Sequence, residues 1–99
     1  MPQISQESLT EIFLEEPSLF RVLLLNDDKT TMDFVVFVLV EIFDKTRDEA
    51  TKVMLQIHKE GSGVCGIYTY DVAELKANQV VEIARQKGYP LRVEIEEII

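Results

Sequence analysis

Leu23-Leu24-Leu25-Asn26-Asp27-Asp28-Lys29-Thr30-Thr31-Met32-Asp33-Phe34-Val35 holds the change of period on which the fold turns. Upstream, Phe20, Val22 and Leu24 alternate with Arg21 and Leu23, the two-residue period of a strand, and Asn26-Asp27-Asp28 reads as the turn that ends it. Downstream, Phe34-Val35-Val36-Phe37-Val38-Leu39-Val40 has the composition of a strand. Two features favour a helix instead. Thr31 or Asp33 can accept from the free amides of a helix N-terminus, and apolar spacing continues through Ile42 and Phe43, beyond the usual strand length.

Working outward, Thr46-Arg47-Asp48-Glu49 has the spacing of a capping box, and Ala50, Val53, Met54 and Ile57 follow at helical intervals until Gly61 and Gly63. Val64 to Tyr70 is rich in β-branched and aromatic residues and reads as a strand. Thr69 or Asp71 can cap a third helix with the stripe Ala73, Ala77, Val80, Ile83 and Ala84, and Gly88 stands just past its end. Leu91, Val93 and Ile95 alternate with Arg92, Glu94 and Glu96, a half-exposed strand. The expected fold is α+β, ordered β-α-α-β-α-β: a three-stranded antiparallel sheet with three helices packed on it.

Ninety-nine residues make one domain with a single core, preceded here by a different stretch. Residues 1–18 carry Glu7, Glu11, Glu15 and Glu16, no basic residue, and Pro17 near the end, the composition of a flexible acidic arm. Ile4, Leu9, Ile12, Phe13 and Leu14 leave open a short amphipathic helix that folds on a partner. The domain proper is expected over residues 19–99. A formal charge of −8 argues against nucleic acid and against an anionic membrane surface, and favours partners that are basic or carry an exposed amine. The apolar run Phe34 to Val40 is far short of the ~20 residues of a membrane span, and no signal segment opens the chain, so the expectation is a cytoplasmic protein. Cys65 and His58 each stand alone among their type, which leaves no disulfide, no zinc set and no expected cofactor.

Acceptors at Asn26-Asp27-Asp28 beside apolar surface suit a ligand with a cationic head and a hydrophobic body. Met54-Leu55-Gln56-Ile57-His58 adds apolar wall and one ring nitrogen, with Met54, Ile57 and His58 at i, i+3 and i+4 on one helical face. Taken singly, each feature has a plainer reading: a turn bonded to its own backbone, a core stripe, a structural histidine. Cys65 reads as a buried small hydrophobe. An enzyme alternative is a cysteine hydrolase using Cys65, His58 and Asp27 or Asp28, which needs the thiol within reach of the imidazole and a depressed thiol pKa. A third is a docking domain without amine specificity.

Taken in order over Leu19 to Ile95, these residues resemble the ClpS family of bacterial Clp protease adaptors. The resemblance is carried by Asn26-Asp27-Asp28 with Thr30, Met32, Phe34 and Val35, then Met54 to His58 with Gly61, Cys65-Gly66 and Pro90-Leu91. It implies a binding module and no enzyme: capture of substrates by an N-terminal Phe, Leu, Trp or Tyr (an N-degron) and delivery to a ClpA-type AAA+ unfoldase joined to ClpP, with altered substrate choice by the unfoldase. It assigns the ligand amine to Asn26, Asp27 and His58. The walls of the side-chain pocket fall to Thr30, Met32, Val35, Met54, Ile57 and Leu91, with Met32 as a gate against β-branched residues. Unfoldase contact falls to Asp71, Glu74 and Lys76, and delivery to the N-terminal arm. The chain departs from the family pattern at Thr31, where proline is common, and at Phe37 and Val40, where polar residues are expected. Those two imply an apolar patch on the first helix, a self-association contact.

Overall fold

The computed structural model describes residues 17–98. The expected acidic arm, residues 1–18, lies outside them except for Pro17 and Ser18. The order along the chain is β1 (Leu19–Leu25), α1 (Met32–Glu41), α2 (Arg47–Glu60), β2 (Ser62–Thr69), α3 (Tyr70–Lys87) and β3 (Arg92–Ile98). The α+β fold expected from the sequence is the one observed.

Alternation in β1 places Val22 and Leu24 fully inside, and the strand is the centre of a sheet ordered β2-β1-β3 with both pairings antiparallel. A register shift between Val22 and Leu23 leaves Cys65 as the extra residue of a β-bulge: Val22 faces Gly66 while Leu23 faces Val64. The bulge puts Cys65 in the core with zero exposure. Helix α3 lies against the sheet through Ala73, Ala77, Val80 and Ala84, all buried. Three of these four are alanines, which let backbone approach backbone. Val38 and Leu39 of α1 complete the core, as does Phe43 just beyond it.

Capping sets the helix boundaries. Thr31 has extended backbone and its hydroxyl accepts from the Phe34 N–H at 3.2 Å, so α1 begins at Met32. The helix stops at Glu41 rather than running to Phe43: Ile42 is its C-cap, and Asp44 takes a positive φ of 55° that reverses the chain toward α2. At α2 both bonds of the capping box form, Thr46 Oγ1 accepting from the Glu49 N–H and Glu49 Oε1 from the Thr46 N–H. Gly61 alone ends α2, in the left-handed region at φ 92°; Gly63 belongs to β2, which spans Ser62–Thr69 and leaves Tyr70 to open α3. Thr69 is the N-cap of α3 by position, without a side-chain hydrogen bond.

Candidate functional site

One backbone bond decides what meets what at the end of the sheet. The Asn26 N–H, just past β1, donates to the Gly61 carbonyl at 2.8 Å, and the Gly61 N–H donates to Ile57 at 2.9 Å. The turn after β1 is thereby tied to the last turn of α2, so Asn26 and Asp27 stand beside His58. Gly63 lets the same end of α2 sit close on β2, since a Cβ there would lie 2.7 Å from Ile57 Cγ1.

The result is a cleft of about 420 Å³, inside the ~300–1,000 Å³ range of small-ligand sites. Among its lining residues are Asn26, Asp27 and His58 at the polar rim and Thr30, Met32, Val35, Met54 and Ile57 as wall. Ile57 and Val35 are buried and Met54 is half-buried, whereas Met32 is 45% exposed at the mouth. Eight of the nine residues singled out for amine and pocket thus share one cavity. Leu91 is the exception. It precedes β3 in phase with Val93 and Ile95, and that alternation turns it into the main core, where it is 6% exposed and does not line the cleft. Asp28, one of the three acceptors read from the sequence, also lines the cleft, and so do Lys29 and Thr31, to which the sequence gives no ligand role. Their place follows from a loop folding over the α1 N-terminus, for which no periodicity gives a signal.

Asp27 organises that loop. Its Oδ1 accepts from the backbone N–H groups of Lys29 at 2.8 Å and Thr30 at 2.7 Å, and its Oδ2 accepts from the Thr30 hydroxyl at 2.6 Å. Partial burial by itself would raise the carboxyl's pKa. The Thr30 hydroxyl and the two backbone amides, with help from the Arg92 charge, outweigh burial and hold it below its ordinary value. A carboxylate offers about four lone-pair directions, so these three bonds leave roughly one, on Oδ2. The site therefore presents a fixed anion, an exposed amide at Asn26 and an exposed imidazole at His58 above an apolar floor. Such a set can hold a cation with an apolar side chain; it contains no activated nucleophile.

Cys65 does not enter the cleft. Burial pushes its thiol pKa up to about 12, the opposite of what a nucleophile needs, and its sulfur faces the Gly63 carbonyl at 3.8 Å. The cysteine-hydrolase alternative has no geometric support.

The second predicted surface lies at the other end of the sheet. Leu19 pairs with Thr69, next to the start of α3, whereas Leu25 pairs with Ser62, next to the cleft. Asp71 and Glu74 are exposed on the first turns of α3. Lys76 is engaged within the domain: Nζ donates to the Ile42 carbonyl at 2.6 Å, lies 3.7 Å from Asp44 Oδ2, and sits 5.3 Å from the Tyr68 ring centroid. It binds α3 to the C-terminal end of α1, which local sequence pattern did not show. Among the described residues no helix is long and apolar enough to cross a membrane.

Comparison with known proteins agrees with this architecture. The family model described as ATP-dependent Clp protease adaptor protein ClpS matches residues 15–94. The ATP-dependent Clp protease adapter protein ClpS of Helicobacter hepaticus is 58% identical over 98 residues, covering 99% of each chain. That of Nitratidesulfovibrio vulgaris is 54% identical over 92 residues, 93% of this chain and 92% of the relative. The solved structure of Agrobacterium tumefaciens ClpS2 bound to L-phenylalaninamide superposes with a TM-score of 0.81 at 36% identity, covering 84% of this chain and all of that one. The chain belongs to the ClpS family: it is an adaptor of the ATP-dependent Clp protease, and not an enzyme.

Proposed function

We propose that this adaptor captures proteins by a free N-terminal Phe, Leu, Trp or Tyr and delivers them to a ClpA-type AAA+ unfoldase coupled to ClpP, shifting the unfoldase's substrate choice. The observation that carries the reading is the cleft itself: Asp27, Asn26 and His58 at the rim of a cavity floored by Ile57 and Val35. An α-amino group has a pKa of ~7.7–8 and is mostly a three-donor cation at neutral pH, so it takes up convergent acceptors. A charge-assisted hydrogen bond contributes ~1.5–3 kcal/mol, and burial of a Phe or Leu side chain a further ~1.5–3 kcal/mol. The ligand of the Agrobacterium tumefaciens relative supports the same chemistry. L-Phenylalaninamide carries a free amine and a benzyl side chain, and its carboxamide stands in for the first peptide bond.

Met32 and Met54 suit a cavity that accepts several apolar shapes, because unbranched thioether chains repack at low cost. Met32 at the mouth is the gate against β-branched first residues. The delivery surface is the exposed Asp71 and Glu74, with Lys76 holding the underlying α1–α2 connection in place. Seven residues of β1, ~23 Å at ~3.3 Å each, separate that end from the cleft, so substrate and unfoldase do not compete for the same ground. The N-terminal arm completes delivery. Fluorescence anisotropy tests the recognition step with three peptides: one beginning with Phe, the same peptide N-acetylated, and one beginning with Val. The reading expects tight binding of the first alone. Equal affinity for all three reduces the domain to a docking module without amine specificity.

A further inference from the structure

Gly88-Tyr89-Pro90 joins α3 to β3 and holds Tyr89 in a fixed place. Gly88 takes a left-handed φ of 77°; its N–H donates to the Arg85 carbonyl at 3.1 Å, and the Tyr89 N–H donates to the Ala84 carbonyl at 2.9 Å. These two bonds form a Schellman motif, which ties the Tyr89 backbone to the last turn of α3. On the other side Pro90 disfavours helical backbone at Tyr89, and Leu91 enters the core at 6% exposure. From this post the Tyr89 side chain meets the first turn of α1 at two points. Its ring lies against Phe34, with centroids 4.7 Å apart and planes tilted by 45°, and Phe34 is itself buried. Its hydroxyl stands 3.5 Å from Thr31 Oγ1, which donates to it while accepting from the Phe34 N–H. A hydroxyl bond of that length is weak, so the ring contact is the stronger of the two.

Tyr89 does not line the cleft, but Thr31 and Met32 do. Thr31 is the N-cap of α1 and Met32 its first residue, so whatever fixes Thr31 and Phe34 fixes Met32 at the mouth. The acceptor end of the cleft has a separate anchor, the bond from the Asn26 N–H to Gly61. Resting on the reading of Met32 as the gate, we infer that Tyr89 is a positioning residue for that gate. Its ring, held by the C-terminal cap of α3, sets how closely the first turn of α1 shuts the mouth, and so how strongly β-branched first residues are rejected. Asn26–Gly61 serves amine recognition and Tyr89 serves side-chain discrimination. Loss of the ring loosens the mouth and leaves the amine acceptors in place.

Anisotropy titrations of the full chain test this with peptides beginning with Leu, with Val and with N-acetylated Leu, on wild type, Tyr89→Leu and Tyr89→Phe. Tyr89→Leu should narrow the preference for Leu over Val about three- to tenfold, the order that an aromatic pair contributes. Its loss of affinity on acetylation should stay as in wild type, which also reports a folded chain. Tyr89→Phe keeps the ring and should hold the preference within about twofold of wild type. Should Tyr89→Leu fail to fold, Tyr89→Met, an unbranched chain without a ring, reads the same quantity. A preference that survives loss of the ring overturns the inference and leaves the Met32 gate standing. A Tyr89→Phe variant as indiscriminate as Tyr89→Leu overturns it too, since the hydroxyl would then carry the effect. An equal fall in the acetylation penalty makes Tyr89 a general support of the fold, and likewise overturns it. A wild-type chain that binds Leu and Val starts equally overturns the gate and the inference together.

Discussion

Replacing Asp27 by Asn isolates the charge at the centre of the account. The two side chains have the same shape, and Oδ1 of an Asn can still accept from the backbone amides of Lys29 and Thr30, which reach Asp27 at 2.8 and 2.7 Å. The amide nitrogen would replace Oδ2 and donate to the Thr30 hydroxyl, which can accept as readily as it donates. The loop therefore keeps its bonds. What disappears is the one remaining acceptor direction on Oδ2, replaced by an N–H aimed at the ligand ammonium. The loss is one charge-assisted hydrogen bond, ~1.5–3 kcal/mol, or about 10- to 160-fold in affinity. Anisotropy titration of a Phe-beginning peptide against Asp27→Asn and wild type measures it, with a thermal melt to show that the fold is kept. An affinity within threefold of wild type would refute the reasoning, since it would place the ligand amine away from this carboxylate.

Gly63→Ala forces a methyl to within 2.7 Å of Ile57 Cγ1 and 3.4 Å of Val53. Overpacking of this kind costs ~1–3 kcal/mol, at ~4–8 °C in Tm per kcal/mol for a domain this size, and pushes Ile57 into the cleft. Peptides beginning with Trp should lose more affinity than those beginning with Leu; equal losses would separate Ile57 from the pocket floor. Met32→Ala should admit Ile- and Val-beginning peptides better, and unchanged discrimination in the same titration removes Met32 as the gate. The folded-state pKa of Asp27 is depressed from 3.8, so the stability it contributes is present above that value and lost as pH falls through the folded one. Urea melts of wild type and Asp27→Asn should accordingly differ at neutral pH and converge in strong acid. On the alkaline side, peptide affinity should fall as the ligand amine loses its proton near pH ~8; a profile flat to pH 10 excludes ammonium recognition.

Much of the fold was legible because each boundary is marked by local chemistry. The Thr46–Glu49 box, the Thr31 cap and the alternation in Leu91-Val93-Ile95 all report short-range geometry that a sequence carries openly. The ambiguous run Phe34–Val40 resolved as helix for the same reason: its cap and length outweighed its β-branched composition. What local pattern did not carry is long-range. The β-bulge that buries Cys65 depends on register against β1, and the Asn26–Gly61 bond joins residues 35 apart in sequence. Lys76 reaches Ile42 across 34 positions. The residues of the cleft were named from their resemblance to a family; of these, Leu91, in phase with Val93 and Ile95, lies in the core and off the cleft lining.

The most direct test of the account is nitrogen–proton chemical-shift mapping of the labelled chain titrated with L-phenylalaninamide. The account predicts that the largest saturable shifts fall on Asn26, Asp27, Thr30, Val35, Ile57 and His58, with none of that size when the amine of the ligand is acetylated. Shifts centred elsewhere, or unchanged by acetylation, would contradict it.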